Sequence, residues 1–365
     1  MGQELRSGYT TGTHASAVLG AVLKNYFDKK ILESIGVVLP KGKLVDIDVS
    51  YVGEHHFKTI KVDNDDLDVT KGCCIHAELF TSKPKNLKEQ KPALFEVKNT
   101  HFFIYAGDGV GVATKEGLKI APNSPAINPV PLSMMREMAL GIKDEDKRDF
   151  HIIISVENGE EIAKETANAK VGVLGGISIL GTRGIVKPIS ADAYLDSIET
   201  EIAVAGANGV KNIVFTLGNT SHDYANAHYE ELQVIEVGNF VYEASQKLIE
   251  MNFTRMTFIC GSAKMCKVAQ GCKNTHNRFG GINFDTVNLW MADEVGIDFK
   301  DEKFTTLKAM LLKLTEEEVK HFVSFLSFKA GKSFQAWFEE LEIRTKEIEI
   351  ITVGGKEIIK RNVKW

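Results

Sequence analysis

Apolar residues at Ala15, Val18, Leu19, Val22, Leu23 and Tyr26 recur at three- and four-residue intervals, which predicts a helix over 14–27. Strict alternation follows. Val45, Ile47 and Val49 share one face of a strand over 45–52, and Ile75, Ala77 and Leu79 alternate with Cys74, His76 and Glu78 over 73–80. "HFFIYAGDG" (101–109) reads as a strand running into a turn, and the lysine-rich stretch 81–91 as an exposed excursion. This half of the chain predicts an N-terminal α+β domain with a mostly antiparallel sheet.

Four of the eight prolines fall in 122–131, a rigid connector in which Asn128 and Pro129 open a further helix. The charged run "KDEDKRD" (143–149) reads as a hinge, giving domains over 1–147 and 148–365. Beyond it the rhythm changes. Apolar runs in "FHIIISV", "VGVLGG", "NIVFTLGN", "QVIEVGN" and "RMTFICGS" each end at a polar or Gly-rich loop, and helical patterns intervene, including 190–209. That alternation predicts a C-terminal α/β domain with a largely parallel sheet flanked by helices. Ligands in such sheets bind beyond the carboxyl ends of the strands. Those ends are Gly175-Gly176, Gly218-Asn219, Gly238-Asn239 and Gly261-Ser262. Residues 304–346 read as helices, and 347–359 as a closing hairpin around Gly354-Gly355 that is not tied by pattern to either domain.

Composition narrows the class. The 365 residues are 44% hydrophobic and 25% charged, an ordinary globular balance with room for two domains. No run approaches the roughly 18 apolar residues of a membrane span, and the start lacks a signal-peptide core, so a cytoplasmic protein without membrane partners is expected. The five cysteines are odd in number, and Cys260, Cys266, Cys272 and His276 follow no usual zinc spacing, so they read as apolar filler and no protein-bound metal is expected. Net charge is −5, which offers nothing to nucleic acid. Acidic residues are nevertheless absent from 251–284 and from 166–191, where Lys264, Lys267, Lys273, Arg278, Arg183 and Lys187 lie. Those stretches read equally as anion-binding loops or as basic solvated faces.

Five segments carry candidate chemistry. "SGYTTGTHAS" gathers Thr10, Thr11 and Thr13 at a helix start, either an anion cradle or an over-capped helix. "AGDGVGVATKEG" sets Gly107, Asp108 and Gly109 after a strand, which is a ligand-approach turn or a plain tight turn. "VDNDDLDVT" resembles half of a calcium loop, but Leu67 and Cys74 occupy positions that need Gly and Glu. "GCKNTHNRFGG" concentrates Asn274, Thr275, His276 and Arg278, donors suited to carboxylates. "LGNTSHDYA" places Asn219 at a strand end. No nucleophile elbow, Walker A sequence or HExxH helix is present.

Together these segments resemble the CbiD family, the cobalt-precorrin-5B C(1)-methyltransferases of anaerobic cobalamin biosynthesis. The resemblance rests on "LRSGYTTGTHASA", "VDNDDLDVTKG", "GDGVGVATKEGL", "PAINPVP", "GGISILGTRGIVKPIS", "VGNFV" and "KVAQGCKNTHNR", in order over roughly residues 5–296. It implies methyl transfer from S-adenosylmethionine to ring carbon 1 of a cobalt-containing tetrapyrrole, giving cobalt-precorrin-6A. It assigns His276, Asp108 and His14 to the chemistry. Thr10, Thr11, Thr13, Arg183, Lys187, Lys264, Lys267, Asn274, Thr275 and Arg278 are assigned to the substrate. Gly107, Asp108, Gly109, Asp66, Gly175, Gly176, Ser178 and Asn219 are assigned to S-adenosylmethionine. A homodimer is the default expectation. His14 stands where related sequences carry Cys, and Gly261 where His is common. A nicotinamide-dependent oxidoreductase and a non-catalytic tetrapyrrole carrier are the competing readings.

Overall fold

The computed structural model describes residues 6–62, 64–65, 68–141, 148–186, 191–299, 301–354 and 358–364. They group into two compact units, Met1–Ala191 and Asp192–Trp365.

In the first unit, β1 (Gly8–Tyr9) leads into α1 (Thr11–Asp28), then β2 (Ser34–Val38), β3 (Leu44–Asp48), β4 (Ser50–Gly53), β5 (His56–Ile60), β6 (Cys74–Phe80), β7 (Ala93–Val97) and β8 (Thr100–Ala106). Short strands β9 (Gly109–Val110) and β10 (Val112–Ala113) precede α2 (Pro129–Ala139), β11 (Phe150–Val156), α3 (Gly159–Ala163), β12 (Val173–Leu174), β13 (Gly176–Ile177) and β14 (Ile185–Val186). The main sheet has the order β4-β5-β6-β11-β8-β7. Only the β11–β8 pair in it is parallel. The expected strand over 45–52 is broken at Val49: β3 pairs with β2, while β4 joins the main sheet.

The expected boundary at 147/148 moves. β11 lies in the middle of this sheet, with β6 on one side and β8 on the other, so the division falls at Ala191. The charged run before β11 marks only a loop, most of it outside the described residues. Likewise 173–174 pairs with Val112–Ala113 in the first unit and is not a strand of the parallel sheet.

Helix α1 is buried at every position from Thr11 to Leu23. A helix apolar or small on all sides belongs inside a core, and α1 packs against β5 and β6 as well as against α2. Its small residues permit this. A Cβ on Gly12 would stand 2.6 Å from Pro131 Cγ and 3.1 Å from the Leu180 carbonyl oxygen.

In the second unit, α4 (Ala191–Ala207) starts at the division and is followed by β15 (Asn212–Leu217), α5 (Asn219–His228), β16 (Val234–Glu236), α6 (Val241–Gln246), β17 (Arg255–Gly261) and α7 (Ser262–Ala269). Then come α8 (Phe284–Val295), α9 (Leu307–Leu311), α10 (Glu316–Glu340), β18 (Glu347–Val353) and β19 (Ile359–Lys364). The sheet order is β16-β15-β17-β18-β19, parallel except for β19. The closing hairpin therefore extends this sheet. Alternate strand residues face two cores. Val214, Val234, Ile259 and Ile351 meet α5 through Ala225, while Phe215, Met256, Phe258 and Ile350 face the larger cluster that includes α4, α6, α7, α8 and α10. Adjacent strands β15 and β17 thus exit toward opposite faces, to α5 and α7, which opens a crevice at their carboxyl ends.

The crowding at Gly12 gives the first expectation. Gly12→Ala forces Pro131 and the 178–184 segment apart and lowers stability by about 1–3 kcal/mol. The urea midpoint falls while the slope of the transition is unchanged.

Candidate functional site

The helix-start motif is closed on itself. Thr10 caps α1, its Oγ1 accepting the Thr13 N–H at 3.2 Å. Thr13 Oγ1 donates to the Gly184 carbonyl at 2.8 Å, and Thr11 Oγ1 accepts the Leu180 N–H at 2.9 Å. The Thr10 and Gly12 N–H groups donate to the carbonyls of Gly184 and Leu180. All three threonines are buried. This corrects the cradle reading: the hydroxyls and first-turn donors hold the 178–186 segment in place, and an anion finds none of those hydroxyls open. Ser178 belongs to the same network through its carbonyl and through Asn168.

His14 lies one turn further on and is 1% exposed. Its Nδ1 is 3.1 Å from Thr59 Oγ1, and that hydroxyl donates its single proton to the Asp48 carbonyl at 2.7 Å. Thr59 Oγ1 must therefore accept, which puts the imidazole proton on Nδ1. Nε2 is left as a bare lone pair, buried and without a partner among the described residues. Burial first, and the nearby Lys61 ammonium second, lower the His14 pKa to about 4. The ring borders a cavity of about 480 Å³ between α1, β3 and β5, lined also by Tyr9, Asp48, Thr59, Lys61 and Gly72.

Lys61 is 1% exposed and ion-paired with Asp68. Burial alone would raise the Asp68 carboxyl, but hydrogen bonds from Lys61 and Thr70 outweigh it and hold the group below its ordinary value. The acidic turn that suggested a calcium loop thus neutralises a buried lysine. Asp65 binds Arg6. Asp66 lies outside the described residues, as does Lys187.

The Gly107–Gly109 turn meets Gly159 and Gly176 backbone to backbone. A Cβ on Gly109 would be 1.9 Å from the Val156 carbonyl oxygen, and one on Gly176 would be 2.2 Å from Gly109. These glycines permit chain packing, with Asp108 and Gly175 exposed on the outside. Arg183 is exposed as well.

In the second unit, Lys264 and Lys267 carry the 272–280 loop. Lys264 Nζ donates to Asn239 Oδ1 at 2.8 Å and to the Thr275 carbonyl at 2.9 Å. Lys267 Nζ donates to the carbonyls of Thr275 and Gly280 and to Asn277 Oδ1. Thr275 is buried, its hydroxyl on Asn239. Burial and the neighbouring Lys267 charge lower the Lys264 pKa. Above this base, Asn274 Oδ1 accepts the His276 N–H, and His276 Nδ1 accepts the Arg278 N–H at 3.1 Å. A neutral His276 therefore carries its proton on Nε2 and acts as a donor. His276 and Arg278 are exposed, and so is Asn219 at the β15 exit. Of the three residues assigned to chemistry, His14 and Asp108 lie in the first unit and His276 in the second.

The pattern reading missed Lys61 and Thr59, and named Asn239 only as part of a strand end. Phe57, Thr59 and Lys61 share one strand parity, so an inward-facing lysine was legible there.

A sequence profile of the CbiD family matches residues 1–188. A cobalt-precorrin-5B C(1)-methyltransferase of Thermoanaerobacter sp. (strain X514) is 33% identical over 100% of this chain and 98% of its own length. The chain belongs to the CbiD family. The protein of the same name from Brucella canis is 36% identical over 86% of this chain and 84% of that one. A crystal structure of the cobalamin biosynthesis protein CbiD from Archaeoglobus fulgidus, 28% identical, covers 70% of this chain and 77% of its own with a TM-score of 0.37.

The buried neutral ring makes stability pH-dependent. His14 has a folded pKa of about 4 against 6.5 when unfolded, so the unfolded chain binds the extra proton between those values. The His14 contribution is complete above pH 6.5 and is lost as pH falls toward 4, amounting to about 3 kcal/mol. Urea midpoints measured across that window fall with pH, and His14→Gln flattens the slope.

Proposed function

We infer that this protein transfers a methyl group from S-adenosylmethionine to ring carbon 1 of cobalt-precorrin-5B, a step of cobalamin biosynthesis. The observation that carries this reading is the full-length match to a relative bearing that activity in its name. S-adenosylmethionine supplies an electrophilic methyl on a sulfonium. As the new carbon–carbon bond forms, the sulfur keeps the old bonding pair, and a proton leaves the ring. The protein's task is then alignment and exclusion of water.

Two features support a nucleoside-bearing cosubstrate at the carboxyl-end crevice of the second unit. A Cβ on Gly218 would meet nothing within 4 Å, and one on Gly261 only the Val353 carbonyl at 3.7 Å, so the backbone there is open. Asn219 begins α5 beside it. Asp108 and Gly175 remain candidates for that role in the first unit, on their exposure alone. For the substrate, Arg278, Asn274 and His276 form a donor-rich rim, which suits a ring bearing several carboxylates. Lys264, Lys267 and Thr275 act by holding that rim in place. Arg183 is a further carboxylate partner. His14 enters the reading as a neutral ring in the wall of the first unit's cavity. A compartment without membrane, and a homodimer, complete the reading.

The test mixes purified protein, cobalt-precorrin-5B and methyl-labelled S-adenosylmethionine and follows the tetrapyrrole by mass. One labelled methyl at carbon 1 is expected. Pigment that binds but gains no mass points to a carrier instead. Removing one charged donor costs about 1.5–3 kcal/mol, so Arg278→Ala raises KM by about 10- to 100-fold. The thermal midpoint is unchanged, because the side chain is exposed.

A further inference from the structure

The face of the main sheet turned away from α1 carries a cluster that the methyl-transfer reading does not use. On β6, Cys74 and His76 share one parity, opposite to buried Ile75 and Ala77. Glu157 follows directly after β11, the neighbouring strand. Cys74 Sγ lies 3.4 Å from His76 Nε2, and Glu157 Oε1 lies 2.8 Å from that same nitrogen. The three donor atoms all lie within 4.8 Å of one another.

This is not the arrangement of a nucleophilic triad. There, thiol and carboxylate bind opposite nitrogens of the imidazole. Here both converge on Nε2, and the other nitrogen, Nδ1, faces His56 Nε2 at 3.0 Å. Without a metal, Nε2–H donates to the Glu157 carboxylate and Nδ1 accepts from His56. A metal ion on Nε2 displaces that proton, and Nδ1 then donates outward to His56, the outer partner of a metal-ligating histidine. A tetrahedral zinc ion with ligand distances of about 2.0–2.3 Å separates its ligand atoms by about 3.3–3.6 Å. The Cys74–His76 spacing already meets this. Glu157 has to withdraw slightly, and its side chain is 53% exposed and free to do so. Cys74 is buried, so the sulfur side of the cluster is closed and the carboxylate side open to water.

We propose that Cys74, His76 and Glu157 form a binding site for a divalent transition-metal cation of the zinc class, with His56 orienting His76 and water in the fourth position. A thiolate, an imidazole and a carboxylate together select a borderline-soft cation over calcium or magnesium. The site replaces the expectation that the protein binds no metal of its own. It is independent of the cobalt carried by the substrate.

Cobalt(II) is the probe. The full-length chain, stripped with a chelator, is titrated with Co²⁺ and followed by absorption. One equivalent is expected to bind with a thiolate-to-cobalt charge-transfer band that Zn²⁺ abolishes. Cys74→Ser removes the band, and Glu157→Gln weakens uptake by about 10-fold or more with the thermal midpoint of the metal-free chain unchanged. His56→Ala weakens it by about 10- to 100-fold. The proposal is overturned by absence of stoichiometric uptake, or by a band that survives in folded Cys74→Ser and so belongs to another thiol. Should Cys74→Ser not fold, Glu157→Gln decides: wild-type affinity in that variant overturns the site.

Discussion

The first unit depends on the seam between residues 8–13 and 178–186. Hydroxyls of Thr11 and Thr13, backbone donors of Thr10 and Gly12, and the β1–β14 pairing join two segments about 170 residues apart in sequence. Thr10, Thr11, Gly12 and Thr13 are buried, so a broken bond there leaves an unsatisfied polar atom inside the protein. The seam closes only because Gly12 lets α1 approach Pro131 and Leu180. Through it α1 sits within the core, where His14 Nδ1 reaches Thr59 and Nε2 has no partner among the described residues.

Both units place polar chemistry on buried charge that is already neutralised or fully bonded. Lys61 is matched by Asp68, and Lys267 by two carbonyls and an amide oxygen. Such groups are costly to bury alone. Here they shape a cavity wall and a loop, and the groups left facing outward are of another kind: a histidine that donates, an arginine and amides.

Much of the organisation is legible in the chain. Period-two alternation marks β6 and its two faces, including the parity that unites Cys74 with His76. The Gly-terminated apolar runs mark β15, β16 and β17 and the crevice at their ends. The domain boundary was not legible: β11 carries an apolar run and lies centrally in its sheet, but nothing local to it names β6 and β8 as its partners.

By itself the sequence determined the elements, the family through its ordered motifs, and the residue types available for chemistry, because those follow from local periodicity and composition. Only the tertiary structure decided which donors remain open. Thr10, Thr11 and Thr13 look like ligand-binding hydroxyls until the carbonyls of Gly184 and Leu180 arrive from far along the chain. Lys264 and Lys267 look like anion-binding charges until Thr275 and Asn239 fold over them. Hydrogen-bond saturation is set by long-range partners, and no short stretch of sequence contains them.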